Sequence, residues 1–119
     1  MNIILPGDKD YESRPSVQRK SLRINLNENI YGTFVEIGAG QEVARNFYRV
    51  GAASGTIAKS MSAYDKSFSD SIYGKEEDGR YVTQNRLDKM LQYEIDLLEK
   101  RISRDKNPNK FFFVYANTV

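Results

Sequence analysis

TFVEIGAGQEVARNFYRVG, Thr33 to Gly51, decides the fold, because it places a strand signal, a glycine turn and a helix in under two dozen residues. Phe34, Val35 and Ile37 form a short apolar run of strand type. Gly38 and Gly40 free the backbone for a tight turn. From Gln41 to Val50 the rhythm becomes helical, with Val43, Phe47 and Val50 on one face. The exposed amides at that helix start would be met by Gln41 or Glu42, and Glu36 would face a cation such as Arg45 or Lys59.

Working outward on the amino-terminal side, residues 1–25 read as a flexible basic leader. Pro6, Gly7 and Pro15 interrupt any period, and Arg14, Arg19, Lys20 and Arg23 cluster there. The cluster suits either a phosphate contact or a solvated arm, and basic runs of this size are commonly solvated. Leu22, Ile24 and Leu26 alternate with polar residues, so Ser21–Leu26 is expected as a short strand. Asn25, Asn27, Asn29 and Gly32 carry turn chemistry into the next strand.

On the carboxyl side, the alternation over 56–63 predicts a strand. Tyr64, Phe68 and Ile72, four apart, predict a helical turn or two after it. Gly74 to Gly79, GKEEDG, reads as a charged solvent loop; Glu76, Glu77 and Asp78 lack the spaced ligands of a calcium loop, so no metal site is assigned. Thr83 to Ser103 predicts a long amphipathic helix, capped by Thr83 and ended before Pro108. Leu87, Leu91, Ile95, Leu98 and Ile102 form its apolar stripe, flanked by Met90 and Leu97, with Glu94 among the charges on the wet side. The same spacing would suit a short coiled-coil seam, although packing on the chain's own sheet needs fewer heptads. Phe111 to Tyr115, within KFFFVYANTV, is apolar on both sides and predicts an interior parallel strand. A buried strand at the end of the sequence is the basis for expecting a fragment of a longer protein, or a strand completed by another chain.

Composition narrows the chemistry. The 119 residues suffice for one domain with a modest core. With 39% apolar and 29% charged residues, no run approaches the roughly twenty apolar residues of a membrane span. No secretory signal pattern is present, so a cytoplasmic location is the default expectation. Cysteine and histidine are both absent, which removes disulfides, thiolate zinc sites, histidine metal ligands and the commonest general base. A net charge of +2, from 18 basic and 16 acidic residues, is too balanced to imply a nucleic-acid surface. No catalytic residue and no cofactor is assigned from these residues.

VEIGAGQE invites comparison with two nucleotide templates. Methyltransferase motif I places an acidic residue and G-x-G-x-G after a strand; Glu36, Gly38 and Gly40 fit, and Glu42 stands at the third glycine. The dinucleotide fingerprint G-x-G-x-x-G would want glycine or alanine where Val43 stands, with an acid about twenty residues on; Asp65 is the nearest and falls late. An anionic Glu42 in the first helical turn favours the helix dipole and opposes a phosphate. The candidate ligand residues are therefore Glu36, Gly38, Gly40, Glu42 and Arg45.

The segment from IYGTFVEIGAGQEVARNF through SMSAYDKSFSDSIYG to the closing FFFVYANTV resembles the amino-terminal region of a family of uncharacterised bacterial proteins. Labels applied to that family, nicotinate-nucleotide adenylyltransferase and TonB-dependent receptor, require an H-x-G-H phosphate site and an outer-membrane barrel respectively, and this chain has no histidine. The resemblance covers about Leu26 to Val119 and implies that the chain is the front of a longer protein; it carries no catalytic residue over.

The expected architecture is thus α/β or α+β: a small sheet with a strand–glycine turn–helix unit and one long amphipathic helix packed on it, incomplete by itself, with residues 26–119 as the domain. The expected role is a structural and interaction module that docks the remainder of its own polypeptide or a second copy through Leu87, Leu91, Ile95, Leu98, Ile102, Phe111 and Phe113. The alternative is half of a nucleotide- or S-adenosylmethionine-type site on the Gly38–Gly40 turn.

Overall fold

The computed structural model describes residues 16–38 and 40–119. Its elements run α1 (Val17–Asn25), β1 (Ile30–Ile37), α2 (Glu42–Val50), a 3-10 turn (Ala53–Gly55), β2 (Ile57–Met61), α3 (Lys66–Tyr73), α4 (Gln84–Arg101) and β3 (Phe111–Thr118). The fold is α/β, with a three-stranded parallel sheet in the order β2-β1-β3. β1 pairs with β3 in unbroken register from Ile30↔Phe111 to Ile37↔Thr118, whereas its pairing with β2 shifts between Gly32 and Thr33.

β1 is covered on both faces, and residues 32–37 are all buried. Strand alternation sorts them. Val35 and Ile37 meet Ala63, Tyr73 and Met90 in a core beneath α3 and α4. Phe34 and Glu36 face α2, where Phe34 lies 5.2 Å from the ring of Phe47. Gly32 admits the ring of Phe113 from β3, which would occupy the position of any Cβ there. Phe113 in turn meets Phe34 edge-on at 5.4 Å, so a glycine on one strand lets aromatic packing continue across the sheet.

Five expectations are corrected. Ser21–Leu26 is helical, not a strand: Ser16 Oγ caps the Arg19 amide, and the buried positions of α1 are the polar Ser21 and Asn25, four apart. Asn25 donates to the carbonyls of Phe47 and Gly51, tying α1 to the end of α2. Part of the expected leader therefore belongs to the folded unit; residues 1–15, including Arg14, lie outside the described residues.

β3 is an edge strand among the described residues, and β1 takes the interior place, because β2 and β3 flank it. The acidic loop is not wholly solvated, since Glu76 is 5% exposed and turns toward Arg86. Finally, the line of α4 that is most buried is Arg86, Met90, Glu94 and Leu98, so Glu94 is not on the wet side. Thr83 does cap α4, accepting from the Arg86 amide, and a helix does follow β2 with Asp65 as its cap.

Candidate functional site

Ligands of open parallel sheets bind beyond the carboxyl ends of the strands, where the strand order reverses. Here that point lies at the ends of β1 and β3, because the chain leaves β1 for β2 on one side and later returns to β3 on the other. The glycine turn occupies this position. Gly38 and Gly40 have φ of 93° and 76°. A Cβ on Gly38 would stand 2.7 Å from the Val119 carbonyl oxygen, so the turn requires glycine both for its backbone and for the approach of the two strand ends. Space beside Gly40 is open.

Gln41 clamps this turn from a left-handed conformation, φ 63°. Its Nε2 donates to the Glu36 carbonyl at 2.7 Å, and its Oε1 accepts from Ser60 Oγ on β2 at 2.8 Å. These two bonds offset the roughly 1–2 kcal/mol that the conformation costs a residue with a side chain.

Glu36 is fully buried. Its Oε1 accepts from the Val43 amide at 2.9 Å and from Asn117 Nδ2 at 3.3 Å, and its Oε2 accepts from the Ala44 amide at 2.8 Å. The carboxylate thus fills the positive end of α2, where amides and helix dipole both favour an anion. Neither Arg45 nor Lys59 is its partner. Arg45 instead makes an exposed pair with Glu42 at 3.4 Å, and Lys59 bonds Glu94. Of the five candidate ligand residues, the structure brings Glu36, Gly38 and Gly40 together at the turn; Glu42 and Arg45 lie on the exposed side of α2, from which Arg45 also donates to the Gly40 carbonyl at 3.4 Å. The amides expected to be met by Gln41 or Glu42 are met by Glu36.

Beside the turn, a cleft of about 190 Å³ opens among Ile37, Ala63, Thr118 and Val119 at the strand ends, with Tyr64, Lys66 and Tyr81 among its walls. Tyr81 is held between two cations, with Lys66 Nζ and the Arg86 guanidinium each 4.8 Å from its ring. Its hydroxyl donates to Asp70 at 3.0 Å; burial, then that carboxylate, raises its pKa and keeps it protonated. Arg86, 1% exposed, donates to Glu76, Ser69 and the Gly74 carbonyl and pairs with Asp70 at 3.4 Å. Hydrogen bonds from Lys89 and then Arg86 hold the Glu76 carboxyl below the usual glutamate value. Lys66, Tyr81 and Asn117 were not singled out from the sequence, and Tyr64 was read only for its helical spacing with Phe68 and Ile72. They come from separate segments, so only the tertiary pairing collects them.

The expected docking residues divide by environment. Leu87 packs on the core and Leu98 is buried. Leu91, Ile95 and Phe113 line an open groove of about 450 Å³ along β3, and Phe111 is 67% exposed. Ile102 lines a separate cavity under α4.

Among the described residues, no group of three or more acidic side chains is placed to hold a metal ion, and no helix is long and apolar enough to cross a membrane. No protein-family model, curated protein or solved structure matches the chain.

Proposed function

We propose that the carboxyl ends of β1 and β3 form part of a site for an adenosyl ligand without phosphate, of the S-adenosylmethionine type. The observation that carries this reading is the occupation of the α2 amides by Glu36, at a glycine turn placed where the strand order reverses. A phosphate seeks those same helix amides and would meet a buried negative charge instead. A ligand contributing hydrogen-bond donors is better matched, since Asn117 Oδ1 beside Glu36 is buried with no partner. The adjoining cleft, apolar at the strand ends and walled by tyrosines, suits a planar base.

Thermal-shift titration of the chain with S-adenosylmethionine and S-adenosylhomocysteine, against ATP and NAD, tests the assignment. A ligand at a hundredfold excess over Kd stabilises by about 2.7 kcal/mol. A saturable shift with the adenosyl amino acids alone is expected; no shift, or an equal shift with the phosphorylated ligands, removes the reading.

The groove along β3 favours a second reading, a module that docks the remainder of a longer polypeptide or a second copy. Val114 of the edge strand, with Leu91 and Ile95 of α4, leaves apolar surface open there. Self-association measured by light scattering is expected in that case, and a monodisperse monomer at high concentration would count against it.

A further inference from the structure

A second cavity, about 220 Å³, lies beside the amino-terminal half of β1, lined by Tyr31 and Thr33 and separate from the strand-end cleft. Its apolar walls come from Ala58 of β2 and from Leu97, Leu98 and Ile102 at the end of α4. Three charged side chains share the lining: Lys59, Glu94 and Arg101.

The charges are not equivalent. Glu94 is 1% exposed and both its oxygens are engaged, Oε1 accepting from Lys59 Nζ at 2.6 Å and Oε2 from the Tyr73 hydroxyl at 2.6 Å. Burial and then the bond to Glu94 raise the pKa of Tyr73, so it stays a neutral donor. The negative charge is therefore satisfied within the wall. Lys59 has donors beyond the one given to Glu94 and keeps 38% of its side chain exposed. Arg101, in the last turn of α4, makes no ion pair with any carboxylate among the described residues. One glutamate against a lysine and an arginine leaves an excess positive charge around an apolar space. The carbonyl end of α4 opposes an anion, and Lys100 with Arg101 in its last turn offsets that field.

We propose that this cavity binds a small amphipathic anion: a carboxylate held between Lys59 and Arg101, carried on a ring or short alkyl body packed against Ala58, Leu97, Leu98 and Ile102. An apolar cavity of about 150 Å³ accepts a benzene ring, so the volume admits an aryl group with a short acidic arm. The assignment is independent of the adenosyl reading.

Titration calorimetry of the whole chain at neutral pH with 3-phenylpropanoate and its uncharged amide tests it, with NMR to locate the ligand. The acid is expected to bind saturably and at least about tenfold more tightly than the amide, a difference of about 1.4 kcal/mol. The methyl signals of Ala58 and Ile102 should move on titration, and those of Ala63 and Val119 should not. Lys59→Met would strand the buried Glu94 and risk unfolding, so Arg101→Gln carries the mutational arm. Arg101→Gln should weaken the acid about threefold or more and leave the amide unchanged. Equal affinity for acid and amide, no saturable binding of the acid, an unaltered acid affinity in Arg101→Gln, or shifts confined to the strand-end cleft would each overturn the proposal.

Discussion

A wholly buried carboxylate survives only if its oxygens are answered, and Glu36 is answered by the amides of Val43 and Ala44 and by Asn117. Glu36→Gln keeps the shape, removes the charge, and turns one NH2 toward a helix amide that needs an acceptor. Loss of about 2–3 kcal/mol is expected in urea unfolding, since hydrogen bonds to a charged group are worth about 1.5–3 kcal/mol; a change below about 0.5 kcal/mol would show that the charge is not what holds the turn. Glu76 makes a pH-dependent prediction. Its pKa is depressed in the folded state, first by the Lys89 hydrogen bond and then by Arg86. The unfolded chain therefore binds its proton more readily, and stability from this residue is present above the ordinary glutamate range and lost as pH falls through the lower folded value. Melting temperature should drop on acidification below about pH 4.5, the usual glutamate value, and Glu76→Gln should flatten that acid limb while lowering stability at pH 7.

At the scale of elements, α4 shows how far local pattern reaches. The cap at Thr83 was legible because it is a short-range signal, and it holds, whereas of the predicted apolar stripe only Leu98 is among the buried residues of α4. The buried line Arg86, Met90, Glu94 and Leu98 was not legible, because its two charged members are buried by partners distant in sequence. Lys59 and Tyr73 engage Glu94, while Glu76, Ser69 and Asp70 engage Arg86. α1 failed for the related reason that its inner positions, Ser21 and Asn25, are polar, so hydrophobic periodicity describes its wrong face. At the candidate site the glycine turn was legible from composition, whereas the role of Glu36 depended on where the first turn of α2 falls. Arg86 joins α4 to α3 and the loop after it, and its planar fork reaches acceptors in several directions. Arg86→Lys keeps the charge but cannot match that fork, so a loss of about 2–3 kcal/mol is expected from the denaturant midpoint at unchanged m-value. A lysine variant of wild-type stability would mean that net charge alone is needed there.

For the whole molecule, the decisive property is asymmetry between the strands: β1 is enclosed by neighbours and helices, whereas β3 has a partner on one side only among the described residues. The Phe111 amide donates to the Asn29 carbonyl and the Val119 amide to that of Ile37 at 2.9 Å. With a two-residue period, the amides at 113, 115 and 117 point toward β1 and those at 112, 114, 116 and 118 point along the outer edge. Amide hydrogen exchange in dilute solution should therefore be slowest in β1, alternate along β3, and be fastest at its even-numbered positions. This pattern also separates the two functional readings. A second copy adding a strand would protect the even-numbered amides in proportion to protein concentration, because its backbone would supply their acceptors. Alternation that persists unchanged from micromolar to millimolar protein would leave β3 unpaired by its own kind and direct attention to the strand-end cleft, whereas uniform protection along β3 at every concentration would contradict the edge position itself.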